Sequence, residues 1–197
     1  MFTPGEPRAR ESILEKARAQ GLVTATPTDT IVRDEYTPAL IHLVSNILVW
    51  GGSRIFHHLH GVGMNEWRIL SALANYPGAT ARDVIEVLGM NKSIASRSVN
   101  RLLELELVAQ LNGSRGSRHL FLTDEGAHVH EDLLRVALQR DKILHSNLSA
   151  DEVTTLNTLL VRLLDSADAL QEFEQGLLRD VAHASRTTTS SKAARGT

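Results

Sequence analysis

Between positions 92 and 100 the chain carries Lys92, Ser93, Ser96, Arg97 and Asn100, whose groups hydrogen-bond phosphate oxygens and base edges. In a helical register Ser93, Ser96, Arg97 and Asn100 share one face, while Ala95, Val99 and Leu102 share another and suit packing inward. A guanidinium can bond guanine, and a side-chain amide adenine, through two hydrogen bonds each, so Arg97 and Asn100 are the base-reading candidates. Ser93 and Ser96 suit phosphate, as does Lys92, at a helix N-terminus whose backbone amides also attract anions. Any exposed helix shows polar groups to water, so the flanking elements must decide whether this face has a use.

Those elements are informative. Thr80 with Asp83 resembles a capping box that opens a short helix, Ala81 to Leu88, closed by Gly89. Asn91 then caps the next helix only two residues later. Two short helices joined by so tight a turn cannot lie antiparallel; they are held at a steep angle, as in a helix-turn-helix. Downstream, Leu107 to Leu111 and Arg118 to Leu122 read as short strands around Asn112-Gly113-Ser114-Arg115-Gly116-Ser117, a hairpin loop with Arg115 near its tip. This predicts a wing, and Arg115 and Arg118 join the candidate contacts.

Elsewhere three-to-four periodicity dominates, so the expected class is mainly α: a winged helix-turn-helix at 64–123 with long flanking helices at 38–61 and 124–182. Thr37 is read as the cap of the first long helix, which Gly51-Gly52 would kink or bring close to a neighbour. Asn65 is read as the cap of a helix from Glu66 to Asn75, ahead of a turn at Tyr76-Pro77-Gly78. Thr123 caps a long helix running to about Asn147, and Ser149 with Glu152 caps the last one. In that last helix Val153, Leu156, Leu160, Leu163, Ala167, Leu170 and Leu177 form a coiled-coil-like seam, which suggests a second subunit. Residues 1–36 read as an extension with a short helix and linker, and 183–197 as a disordered tail.

At 197 residues and 42% hydrophobic content the chain suits one sizeable core with loose ends. The net charge of -2 argues weakly against a nucleic-acid partner, but charge is uneven. Residues 88–122 hold five basic and two acidic side chains, +3, which leaves -5 for the remainder. Absence of cysteine removes disulfides, thiolate zinc sites and cysteine nucleophiles, and fits a reducing compartment. We read no apolar run near the ~20 residues of a membrane span and no signal peptide, so the expectation is a cytoplasmic protein without a membrane partner.

The chain resembles the MarR family of bacterial transcription regulators. The resemblance runs through Asn65-Glu66-Trp67-Arg68-Ile69-Leu70, Ala79-Thr80-Ala81-Arg82-Asp83-Val84, the run from Asn91 to Leu102, and Leu120-Phe121-Leu122-Thr123-Asp124-Glu125-Gly126. Ser96-Arg97 followed by Asn100-Arg101-Leu102 is its strongest piece. It implies a homodimer built from the long flanking helices, recognition helices in successive major grooves of palindromic double-stranded DNA, and wing arginines in the minor groove. The DNA-contacting set is then Asn91, Lys92, Ser93, Ser96, Arg97, Asn100, Arg101, Arg115 and Arg118. Two positions depart from the family pattern. Ser114 stands where an aspartate usually precedes the wing arginine, and Glu106 stands where a glycine usually ends the recognition helix.

Family members often bind aromatic acids, and Trp50, Arg54, His57 and His58 fall on neighbouring turns of the first long helix. There an arginine can pair with a carboxylate, a histidine can bond a phenol and a tryptophan can form an apolar wall. With Trp67 and Arg68 they are the candidate site for a small aromatic carboxylate effector. His57 and His60 have a spacing that zinc accepts, yet polar residues at a helix end are common, so neither metal nor cofactor is expected. No phosphate loop, nucleophile elbow or metalloprotease helix indicates an enzyme, and no catalytic residue is assigned. The alternative reading is a helical oligomerisation or protein-interaction module that does not touch DNA.

Overall fold

The computed structural model describes residues 11–22 and 29–193, leaving aside the side chains of 11, 12, 115 and 182–193. Helix α1 (Glu11–Ala19) precedes α2 (Thr37–His60), α3 (Met64–Asn75), α4 (Ala81–Leu88) and α5 (Lys92–Glu104). Strands β1 (Val108–Asn112) and β2 (Arg118–Leu122) follow, then α6 (Asp124–Leu144), α7 (Ala150–Leu164) and α8 (Ala167–Ala193). The chain is mainly α with one two-stranded sheet. Where one core with loose ends was expected, the chain divides into two compact units, Met1–Phe121 and Leu122–Thr197.

In the first unit the core is built where the periodicity placed it. Phe56 of α2, Ile69, Leu70 and Leu73 of α3, Val84 of α4, and Ala95, Val99 and Leu102 of α5 are buried. Burying each of the larger ones contributes about 1.5 to 3 kcal/mol. Helix α2 runs without interruption through Gly51 and Gly52, and Gly52 is buried. Its cap is Tyr36, not Thr37, which lies inside the helix beside Pro38. One expectation is corrected here: by length and composition α2 is apolar enough to cross a membrane. Ser45, Asn46, Ser53 and Arg54 break the apolar run that sequence reading sought, while the average over the helix remains high.

Between β1 and β2 the loop is a short 3-10 turn, Ser114–Gly116. The asparagine-glycine pair does not make the tight hairpin turn. Gly116 takes the positive φ of +78°, and Gly113 is needed for space: a Cβ there would meet the Ser117 and His119 side chains at 2.5 and 2.7 Å. Gly78, the end of the expected turn, Ala79 and the cap residue Thr80 also pair with β2. Gly78 N–H donates to the Leu120 carbonyl at 2.9 Å, Leu120 N–H to that of Ala79 at 3.0 Å, and Thr80 bridges to His119.

The second unit buries little. Gly126, Val129 and Leu133 of α6 are buried, whereas α7 has no buried residue. The single last helix expected from Ser149 is divided at Asp165 and Ser166. These short polar side chains compete for backbone hydrogen bonds and favour helix ends, and the Ser166 N–H donates to Leu163 three residues back. Backbone α-structure extends to Ala193, through most of the stretch read as a disordered tail; no glycine or proline interrupts 177–193, and local hydrogen bonds need no burial. Residues 1–10, 23–28 and 194–197 of the predicted extension and tail lie outside the described residues.

Candidate nucleic-acid interface

Caps set the helix-turn-helix. The Thr80 side chain accepts from the Asp83 N–H at 3.3 Å, while the Asp83 carboxylate accepts from the Thr80 N–H and hydroxyl, both at 2.8 Å. Those bonds, backbone first, hold the Asp83 carboxyl below the usual carboxylate range. Gly89 closes α4 with φ +57°, where a glycine escapes the steric cost of a Cβ. Asn91 then caps α5, its Oδ1 accepting from the Ser93 N–H at 2.9 Å and the Ser93 hydroxyl at 2.8 Å.

Helix α5 has two faces. Ala95, Ser98, Val99 and Leu102 are buried, and Lys92, Ser93, Ser96, Arg97, Asn100 and Arg101 are exposed. Arg97 folds back along the helix, its Nε donating to the Ser93 carbonyl at 3.3 Å, which leaves its terminal amino groups to meet a base edge. Arg101 lies 3.5 Å from Glu104, and Ile94 adds an apolar group to the exposed first turn. Arg118 is exposed on β2; the turn holding Arg115 is described, but that side chain lies outside the described residues.

Sequence reasoning missed how α3 holds this helix. Ser98, the one buried polar residue among those described, donates its hydroxyl to Glu66 Oε1 at 2.6 Å. Glu66 Oε2 accepts from the Gly63 N–H at 3.0 Å, so α3 starts at Met64 with Gly63 as its cap and Asn65 inside. Any Cβ at Gly63 would fall 2.7 Å from that oxygen. One residue on, the Met64 N–H donates to Ser53 Oγ of α2 at 3.2 Å. Arg68 donates to the Leu88 carbonyl at the end of α4, at 2.7 Å. Helix α3 is therefore fastened to α2, α4 and α5. The only sequence signal for this was a glutamate three residues after a glycine, which any helix start can show.

At the exit of α5, Glu106 has φ +57°, the only non-glycine with positive φ among the described residues. Its N–H donates to Leu103 and that of Leu107 to Leu102, the paired bonds of a Schellman ending that normally employs glycine. Of the two outcomes open at this departure, a strained turn or a longer helix, the chain adopts the turn. The cost is about 1 kcal/mol.

The candidate effector residues are divided. Trp50 is 68% exposed, and Arg54, His57 and His58 are exposed beside it on α2. Trp67 packs on Phe56 of α2, ring centroids 5.3 Å apart, and its buried Nε1 has no hydrogen-bond partner among the described residues. Arg68 donates from its guanidinium to the Leu88 carbonyl at the end of α4.

A buried helical core, a capped tight turn, an exposed polar helix and a two-stranded hairpin define a winged helix-turn-helix protein. Residues 60–118 match the model of the MarR family. The chain has the fold of the MarR-family transcription regulators, and the resemblance read from its sequence is shown. It is similar to the HTH-type transcriptional regulator PetP of Rhodobacter capsulatus, 27% identical over 110 residues, covering 55% of this chain and 66% of that protein, just under two thirds. Among solved structures it is similar to a MarR/EmrR family transcriptional regulator from Acinetobacter sp. ADP1, with TM-score 0.66 and 28% identity over 70% of this chain and 99% of that one. It also shares its fold with MepR of S. aureus, solved as a complex with DNA, at TM-score 0.61 and 17% identity over 68% of this chain and 99% of that one.

Proposed function

We propose that this protein is a cytoplasmic, sequence-specific DNA-binding regulator, acting as a homodimer that represses from a palindromic operator and is released by a small aromatic carboxylate. One observation carries the DNA-binding part: the exposed face of α5 holds Ser93, Ser96, Arg97 and Asn100 together, while its buried face is fastened to α3 through Ser98. Arg97 and Asn100 read bases; Lys92, Ser93, Ser96 and Arg101 touch phosphate, with Asn91 holding the helix start against it. Arg115 and Arg118 bring the wing to the minor groove.

The homodimer is supported by α7, whose Leu156, Leu160 and Leu163 are 39%, 40% and 49% exposed. A helix of that length is marginal alone in water, and a second copy supplies the same apolar seam. Two-fold symmetry then presents two α5 helices to two half-sites. The effector reading rests on Trp50, Arg54, His57 and His58 along α2, with Trp67, whose ring packs on Phe56 and whose buried indole N–H has no hydrogen-bond partner among the described residues. A ligand acts here only if it favours a dimer with the wrong helix spacing.

The test is a gel-shift titration of the purified protein on its own upstream DNA, at two salt concentrations and with random competitor. Specific binding that weakens steeply with salt is expected, because phosphate contacts release counterions, and hydroxybenzoates should lower it. A stable dimer that prefers no DNA would favour the interaction-module reading.

A further inference from the structure

Besides the backbone bonds of β2 to residues 78–80, one imidazole links the wing to the turn before α4. His119 of β2 is half-buried, against the backbone of Gly113. Its Nδ1 lies 2.8 Å from the Gly78 carbonyl in the turn before α4. Its Nε2 lies 3.1 Å from the Ser117 hydroxyl, and that hydroxyl lies 2.9 Å from the Ser114 carbonyl, at the start of the turn that carries Arg115. The contacts therefore form one chain from α3–α4 to the wing tip.

Counting hydrogens shows that the chain has two states. The Gly78 and Ser114 carbonyls only accept, so Nδ1 must carry a hydrogen. With a neutral ring, Nε2 is an acceptor, and the single Ser117 hydroxyl hydrogen serves either Nε2 or Ser114. Three contacts then share two hydrogens. With an imidazolium, Nδ1–H donates to Gly78, Nε2–H to Ser117, and the hydroxyl to Ser114, so all three are made at once. Of the charged neighbours, Asp83 at the start of α4 interacts with the ring and favours a cation, whereas Arg82 beside Asp83 and Arg118 beside His119 oppose it, so the case for the imidazolium is the hydrogen count. DNA phosphates on the wing would add negative charge.

We propose that His119 is a positioning residue for the wing, and that its protonation, through Ser117, couples wing order to DNA binding. This rests on the reading of the wing as a DNA contact. Because only the imidazolium makes all three contacts at once, affinity is greater with the ring charged and falls when it gives up its proton.

The test uses the full chain and a duplex selected from a random library, with affinity measured from pH 5.5 to 8.5 at constant ionic strength. Wild-type affinity should fall as pH rises, by up to about tenfold per pH unit for each proton taken up on binding. His119→Gln should remove that share of the slope. Ser117→Ala, which keeps the charge but cuts the chain, should flatten it too. Wild-type slopes in both variants overturn the proposal; so does a full slope in Ser117→Ala with loss only in His119→Gln, which would leave charge alone acting. Ring nitrogen NMR of the DNA-free protein gives a separate readout. It should show the Nδ1–H tautomer at high pH and a titration midpoint that falls in Ser117→Ala; the other tautomer or an unmoved midpoint also overturns it. Absence of any preferred duplex would defeat the DNA-binding reading, while the NMR result still reports on the chain.

Discussion

Helix α5 and helix α7 are similar in length and opposite in setting. Helix α5 has its inner face buried and fastened: Ala95, Val99 and Leu102 are 1%, 7% and 0% exposed, and Ser98 is bonded to Glu66. Helix α7 carries seven leucines and valines from 153 to 164 and none is buried. Both start at a well-formed cap, Asn91 for α5 and Ser149 with Glu152 for α7. Capping is worth only about 1 kcal/mol, so it fixes where a helix starts and not what holds it. The exposed face of α5 is held from within its own unit, whereas no side chain of α7 is buried.

The largest effects should separate the two. Leu70→Ala, in the core beneath α5, should cost about 2 to 5 kcal/mol, with a thermal midpoint that does not depend on protein concentration. Leu160→Asp on α7 should leave the winged helix folded but shift the chain to monomer in light scattering and weaken operator binding, because folding and association are linked there. A monomer already in the wild type, or a dimer in the variant, would break the comparison.

Next comes the outer face of α5. Arg97→Ala should lose about 1 to 3 kcal/mol of discrimination between operator and a single-base variant, with a smaller loss on random DNA. Arg115→Ala should weaken all sequences more evenly. Equal, unchanged affinities in both would remove the assignment of the reading surface.

A smaller effect lies behind that face. Ser98→Ala strips a donor from a half-buried carboxylate and should cost about 1 to 2 kcal/mol of stability. Combined with Glu66→Gln the losses should be less than additive in urea unfolding; strict additivity would mean that the bond contributes nothing. Smallest is Glu106→Gly, which relieves the left-handed strain but gives the unfolded chain more freedom. A gain of at most about 1 kcal/mol is expected, and a clear loss would show that the glutamate side chain holds the exit of α5.

Much of this was legible in residue order because it is local. Caps at Thr80, Asn91, Thr123 and Ser149, the left-handed Gly89 and the two-faced pattern of 92–102 depend on neighbours within four residues, and each lies where its residue type predicted. Binary patterning likewise separated Ala95, Val99 and Leu102 from Ser93, Ser96, Arg97 and Asn100, since helical periodicity assigns faces before any packing exists. The caps at Gly63 and Tyr36 lie two residues and one residue from the expected Asn65 and Thr37, and the break at Asp165-Ser166 falls inside what was read as one continuous helix. What sequence order could not contain are contacts between distant positions. Ser98 to Glu66 spans 32 residues and His119 to Gly78 spans 41; serine, glutamate and histidine are common surface residues whose partners are chosen only when helices and strands pack. Only tertiary structure brought Arg68 to the Leu88 carbonyl at the end of α4 and paired residues 78–80 with β2. The helices and their faces follow from local physics; which polar groups meet across them follows from the packing of the first unit's core.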